Sequence, residues 1–146
     1  MASQFIPQGT LNRLRTSVTI AAFPELNVTA PFLGKRSVRL TRNGRIVENL
    51  QSLTGVVPSP EPYVMMEIHI NLLKSQALAN AYEQQLLNNA YLGQLTVRTD
   101  TATLQSFIIG NASIINVDEL SFAGDTPDYM VSCEGQYLIN SALWNS

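Results

Sequence analysis

At 146 residues, 45% of them hydrophobic, the chain is long enough to bury one core and too short for two domains of ordinary size, so a single domain over 1–146 is expected. Its charged fraction of 14% lies well under the roughly one quarter of an average globular chain, and Asn, Gln, Ser and Thr make up the difference; such a surface suits a protein that covers itself with further copies of itself. A lone cysteine, Cys133, excludes an intrachain disulfide framework, no apolar run approaches the roughly 20 residues of a membrane-spanning helix, and residues 1–7 lack the features of a secretory signal, which leaves a cytoplasmic origin as the expectation.

Residues 1–12 read as an extended N-terminal arm, because Pro7 and Gly9 break any regular period. From Leu14 the period is two. Leu14, Thr16, Val18 and Ile20 share one face and Arg13, Arg15, Ser17 and Thr19 the other, as in a half-buried strand. Leu26, Val28 and Ala30 repeat that pattern beyond Pro24. Asn43-Gly44 accepts the positive φ of a two-residue turn and predicts a hairpin joining residues 36–42 to residues 45–50. Arg36, Arg39, Arg42 and Arg45 surround this turn; with no interleaved aromatic side chains they read as strand ends or subunit contacts rather than a nucleic-acid platform.

Residues 53–62 form a proline-punctuated loop, with Pro58, Pro60 and Pro62 at alternate positions. Residues 63–73 follow as a long strand: Val64, Met66, Ile68, Ile70 and Leu72 belong to a core, while Tyr63, Met65, Glu67, His69 and Asn71 meet water or a neighbouring subunit. Ser75 is the expected N-cap of a helix over residues 76–92, which has no Gly or Pro and ends at Gly93 as C′. Strands are expected again at residues 95–98, 103–109, 113–118 and 129–139, with turns at Gly110-Asn111 and residues 124–128. Val131 and Cys133 share a face of the last strand, so Cys133 reads as a small buried hydrophobe. Many strands, one helix and more strands imply a mainly β fold: an antiparallel β-barrel or two-sheet sandwich with one flanking α-helix.

The chemistry-bearing residues are few. His69 has no second His and no nearby Cys, so it lacks the partners of a zinc site or a nucleophilic triad. No nucleophile elbow, phosphate loop, dinucleotide fingerprint or EF-hand is present, so no catalytic residue, cofactor or metal is expected. A small enzyme drawing on Asp118, Glu119, Asp125 and Asp128, or a ligand-binding β-domain using Trp144, are the rival readings. Charge, by contrast, is distributed unevenly. Residues 1–50 are net positive, with Arg13, Arg15, Lys35, Arg36, Arg39, Arg42 and Arg45 against Glu25 and Glu48, and the remainder is net negative. Opposite charge on opposite faces would let identical copies meet head to tail.

The stretch Leu53-Thr54-Gly55-Val56-Val57-Pro58-Ser59-Pro60-Glu61-Pro62-Tyr63, followed by Ile68-His69-Ile70-Asn71-Leu72-Leu73-Lys74-Ser75-Gln76-Ala77-Leu78-Ala79, resembles the tail tube proteins of contractile-tailed bacteriophages. Leu95-Thr96-Val97-Arg98, Val117-Asp118-Glu119-Leu120-Ser121-Phe122 and Leu138-Ile139-Asn140-Ser141-Ala142-Leu143-Trp144-Asn145 continue the likeness in order, from about residue 14 onward. The resemblance implies a β-barrel or two-sheet sandwich with a flanking helix, assembled into hexameric rings that stack into a tube through which double-stranded DNA passes during infection. The same architecture is implied for secretion-system tube and tube-like baseplate proteins. It implies self-association, contact with a tail sheath and with baseplate and terminator proteins, and a place in the virion tail after assembly in the host bacterial cytoplasm. A tube-initiating or terminating ring is the nearest alternative. On this reading Arg42, Asn43, Gly44, Arg45, Thr54, Gly55, Pro58, Pro60 and Pro62 reach a neighbouring subunit or ring, and Glu67, His69 and Asn71 form a channel or interface face.

Overall fold

The computed structural model describes residue 9 and residues 14–98, 105–117, 124–125 and 127–145. The expected arm over residues 1–12 therefore lies almost entirely outside the described residues, as do Asp118 and Glu119. The described residues form eight strands and one α-helix: β1 Ser17–Ile20, β2 Leu33–Asn43, β3 Val47–Gln51, β4 Val56–Pro60, β5 Tyr63–Leu73, α1 Ala77–Asn88, β6 Tyr91–Arg98, β7 Phe107–Val117 and β8 Asp128–Leu138. Six strands make one antiparallel sheet in the order β1-β6-β7-β8-β5-β2, curled into a half-barrel, and β3 and β4 make a second, two-stranded sheet. The mainly β expectation with one flanking helix is met.

Strand β5 shows why the fold forms. Its period-two alternation puts Val64, Met66, Ile68, Ile70 and Leu72 on the face that is buried. Register carries that face across the sheet: Ile70 pairs with Val131 and Ile68 with Cys133 on β8, Ile114 of β7 pairs with Cys133, Leu95 of β6 pairs with Ile109 of β7, and Val18 and Ile20 of β1 pair with Val97 and Leu95. Each such aliphatic side chain contributes about 1.5–3 kcal/mol when fully buried. The helix covers this face with Leu78, Ala79 and Tyr82, and the Tyr82 hydroxyl donates a 2.7 Å hydrogen bond to the Leu26 carbonyl.

Four sequence expectations are corrected. Asn43-Gly44 does turn the chain, with Gly44 at φ +108, but β2 and β3 do not pair. β2 pairs with β5, where Val38 and Leu40 lie beside Ile70 and Ile68, and β3 pairs with β4. Lateral continuity of apolar side chains outweighs the local hairpin, since Val47–Gln51 has no comparable stripe to place beside them. The helix begins at Ala77 with Gln76 rather than Ser75 at its N-cap and ends at Asn88, and Gly93 is no C′ residue: it sits inside β6 at φ +82, where the register with β7 shifts. That bulge lets Leu92 and Leu95, three apart, both enter the core. Gly110-Asn111 is likewise a bulge within the continuous β7 rather than a turn, with Asn111 at φ +51 and Ile109 and Ala112 both buried. Finally, the first strand is shorter than expected, beginning at Ser17, and Leu14 is exposed.

Candidate assembly surfaces

Residues 46–61 project as a β-hairpin arm. The expected loop at residues 53–62 is a turn followed by strand β4, closed at the tip by hydrogen bonds from the Ser52 N–H and Oγ to the Gly55 carbonyl at 2.8 and 2.9 Å. At the root the Glu61 N–H donates to the Ile46 carbonyl at 2.9 Å. Because bonded and non-bonded pairs alternate in an antiparallel ladder, bonded ends at Ile46/Glu61 and Ser52/Gly55 make Val47/Pro60 and Asn49/Pro58 non-bonded pairs. Pro58 and Pro60 thus cost the ladder nothing, and their missing N–H groups lie on the outer edge of β4, which they blunt against indiscriminate pairing. At about 3.3 Å per residue the arm reaches about 20 Å beyond its root.

The arm is exposed along both strands, and its exposure is apolar. Ile46, Leu50, Leu53, Val56 and Val57 all face solvent, with Leu53 at 102% and Val56 at 60%. The two strands pack chiefly on each other rather than on the body. A two-stranded sheet is marginal by itself, and apolar side chains concentrated on one make it a candidate contact surface. Thr54 and Gly55 occupy the tip, Pro58 and Pro60 the outer strand, and Pro62 the root. Asn43, Gly44 and Arg45 line a notch of about 390 Å³ at that root together with Glu48, Glu61 and Tyr63. The structure therefore brings the expected interface residues onto one feature, with the exception of Arg42. That guanidinium lies 5.9 Å from the ring centroids of both Phe107 and Tyr137, closing the end of the core as a cation–π cover.

The two edges of the large sheet differ. β1 is covered by its own chain: the Val18 N–H and carbonyl bond Val28, and the Ile20 N–H donates to Asn27 Oδ1 at 2.8 Å. Among the described residues no strand pairs with the outer side of β2, which carries exposed Lys35, Arg36 and Arg39 along it. Its register breaks between Leu33 and Val38, where Ser37 takes φ +54.

On the sheet face away from the core, Glu67 pairs across strands with Glu134, and His69 with Ser132 and Arg39. His69 Nδ1 lies 3.0 Å from Ser132 Oγ, and its Nε2 lies 3.3 Å from Glu67 Oε2. Like charges directly opposite on a sheet are destabilising, and His69 beside Glu67 is the local polar partner for that pair. Asn71 is withdrawn from solvent. Turned so that its nitrogen and oxygen each find a partner, its amide NH₂ donates to Asp128 Oδ1 at 3.2 Å and its carbonyl accepts from the Arg36 N–H at 3.3 Å, tying β2 to β5. Glu134 and Ser132 were not singled out from the sequence. The alternation of residues 129–139 places them opposite Cys133, but only the β5–β8 register sets them beside Glu67 and His69.

Elsewhere, Asp125 is exposed and Asp128 is engaged with Asn71. No three metal-ligating side chains gather among the described residues. Cys133 is buried, and burial pushes its thiol up to about 12. The Tyr129 hydroxyl, which donates to Glu83 Oε2 at 2.6 Å, is raised above its ordinary range by burial and by that carboxylate.

No family model matches the chain, and no curated protein sequence matches it. Among solved structures, a chain of the virion of a native gene transfer agent particle is similar in fold. The TM-score is 0.56 at 10% sequence identity, covering 89% of this chain and 99% of that one. At such low identity the likeness is one of architecture, spanning nearly the whole of both chains.

Proposed function

We propose that the chain is a structural subunit of a phage-type virion, forming the tail tube as stacked hexameric rings around a channel for double-stranded DNA. The observation that carries this reading is the arm, an exposed apolar hairpin held about 20 Å clear of a well-packed body. The sequence resemblance to tail tube proteins and the fold likeness to a virion chain support it independently. In this reading the arm docks on a neighbouring copy in the same or the next ring, its prolines lowering the entropy lost on docking. The basic, open β2 edge meets a less basic surface of another copy, so contacts are heterologous and propagate. Glu67 and Glu134 face the channel, where a negative wall repels DNA phosphates and lets the genome slide. Sheath, baseplate and terminator proteins are the remaining partners, and the protein acts without catalysis or cofactor.

The test is an arm-trimmed variant in which residues 47–60 are replaced by Asn-Gly. Ile46 and Glu61 are a bonded pair, so a two-residue turn closes between them without disturbing the body. Under sedimentation velocity the trimmed protein should stay monomeric at concentrations where the full chain forms rings or tubes. Equal assembly by the trimmed protein sinks the proposal. Tight binding of duplex DNA by assembled tubes at moderate salt contradicts the channel assignment.

A further inference from the structure

The root of the arm is hydrogen-bonded to residues 139–144. Asn140 takes a left-handed conformation, φ +49, at the exit of β8, and its single amide nitrogen donates to two carbonyls: Glu61 at 2.8 Å and Ile46 at 3.3 Å. These carbonyls belong to opposite strands at the arm's root, the same two residues that make its first rung. An NH₂ group has two hydrogens, so one side chain can pin both strands at once. On either side of Asn140, the Ile139 N–H donates to the Pro62 carbonyl at 3.2 Å, and the Trp144 indole N–H donates to that carbonyl at 3.0 Å. The Leu143 N–H closes back onto the Asn140 carbonyl at 2.9 Å and holds the Ser141–Asn145 turn in place.

We infer that residues 139–144 form a clamp that aims the arm, with Asn140 and Trp144 as its positioning residues. The arm's strands pack chiefly on each other, so its direction is set at the root, and these hydrogen bonds cross that hinge. A hairpin held in one direction loses less freedom when it docks, which makes the clamp a determinant of how readily copies join. It also gives Trp144 a role within the chain that owes nothing to an external ligand. The inference rests on the arm being the contact element proposed above, but the clamp itself is measured on the monomer.

The experiment attaches nitroxides to Thr54→Cys at the arm tip and Asn80→Cys on the exposed side of α1, and reads their distance distribution below the assembly concentration. Buried Cys133 leaves the introduced thiols as the labelled sites. The parent should give one narrow distance. Asn140→Gly keeps the left-handed backbone and removes the amide, and Asn140→Asp replaces the donor with a carboxylate; both should broaden the distribution. Trp144→Phe, which keeps an aromatic side chain but loses the indole N–H, should broaden it less. Exchange of the Glu61 amide should rise about fivefold or more in Asn140→Gly while the core amides of Ile68 and Val131 are unchanged. Parent-like distributions in Asn140→Gly and Asn140→Asp overturn the clamp. Broadened arms with undiminished assembly overturn its positioning role and leave the tube reading standing. A narrow parent distribution that Asn140→Gly and Asn140→Asp broaden, with no assembly of the parent at any concentration, overturns the tube reading and the positioning role with it, and leaves the clamp as a property of the monomer.

Discussion

Replacing Tyr82 by Phe removes one oxygen from the most fully buried large side chain of the helix and nothing else. The lost group is the donor to the Leu26 carbonyl, at the end of the Pro24–Leu26 helical turn, where a carbonyl has no continuing helix to bond it. Leu26 is itself only 1% exposed, so the carbonyl gains no water in exchange. A buried acceptor left unsatisfied costs about 1–3 kcal/mol, and because the ring stays there is no cavity to add. For a chain of this length that is a fall in Tm of about 4 °C per kcal/mol, hence about 4–12 °C. Tyr82→Ala removes the ring as well and should cost at least about 3–5 kcal/mol, so the difference between the two variants separates packing from hydrogen bonding. Urea midpoints at fixed m-value are the assay. A Tyr82→Phe variant within about 0.5 kcal/mol of the parent would mean that the Leu26 carbonyl has another partner or reaches solvent.

Other substitutions probe the remaining elements. A Cβ on Gly135 would fall 2.8 Å from the Gly110 carbonyl oxygen and 3.0 Å from Ala112 Cα, as well as against Ile109. Gly135→Ala should therefore cost about 1–3 kcal/mol or more in the same unfolding assay, since backbone atoms of β7 cannot move aside cheaply. Leu53→Ser and Val57→Ser lie on the exposed arm and should leave monomer stability within about 0.5 kcal/mol while raising the concentration needed for assembly about tenfold or more, as read by light scattering. The Cys133 thiol, pushed up to about 12 in the folded protein from an ordinary value of 9.0, keeps its proton where the unfolded chain releases it. Stability is then insensitive to this group below about pH 9 and falls as pH rises from about 9 towards about 12; Cys133→Ala should show a smaller drop in urea midpoint between pH 8 and pH 10. Arg42→Gln should lose about 0.5–1 kcal/mol through its cover over Phe107 and Tyr137, detectable as a small Tm shift in the monomer.

Strand β5 and the buried state of Cys133 were legible because their signal is local: strict alternation, bounded by Pro62 and Ser75. What was illegible depended on distant residues. The Asn43-Gly44 turn is real, but which strand pairs with β2 is decided by the match of Val38 and Leu40 to Ile70 and Ile68, a choice no local pattern contains. Gly93 and Asn111 fit a helix end and a turn by local pattern, because a left-handed residue serves in those roles as well as in a bulge. Only the pairing of β6 with β7 separates the alternatives. The prolines of β4 read as loop by local composition, whereas in an antiparallel ladder every second N–H points outward and proline fits there. As for the candidate surfaces, the arm's residues were legible as a group through the resemblance. Glu134, Ser132 and Asn140 were not, since nothing in a chain rich in Asn and Ser distinguishes those that meet a partner across the fold.

Negative-stain electron microscopy of the purified full chain across a range of concentrations shows whether the protein assembles with itself. Hollow rings of uniform diameter that stack into tubes are the expected result. Rings that stop at one layer would move the chain to a tube end, and a monodisperse monomer at every concentration would contradict the account.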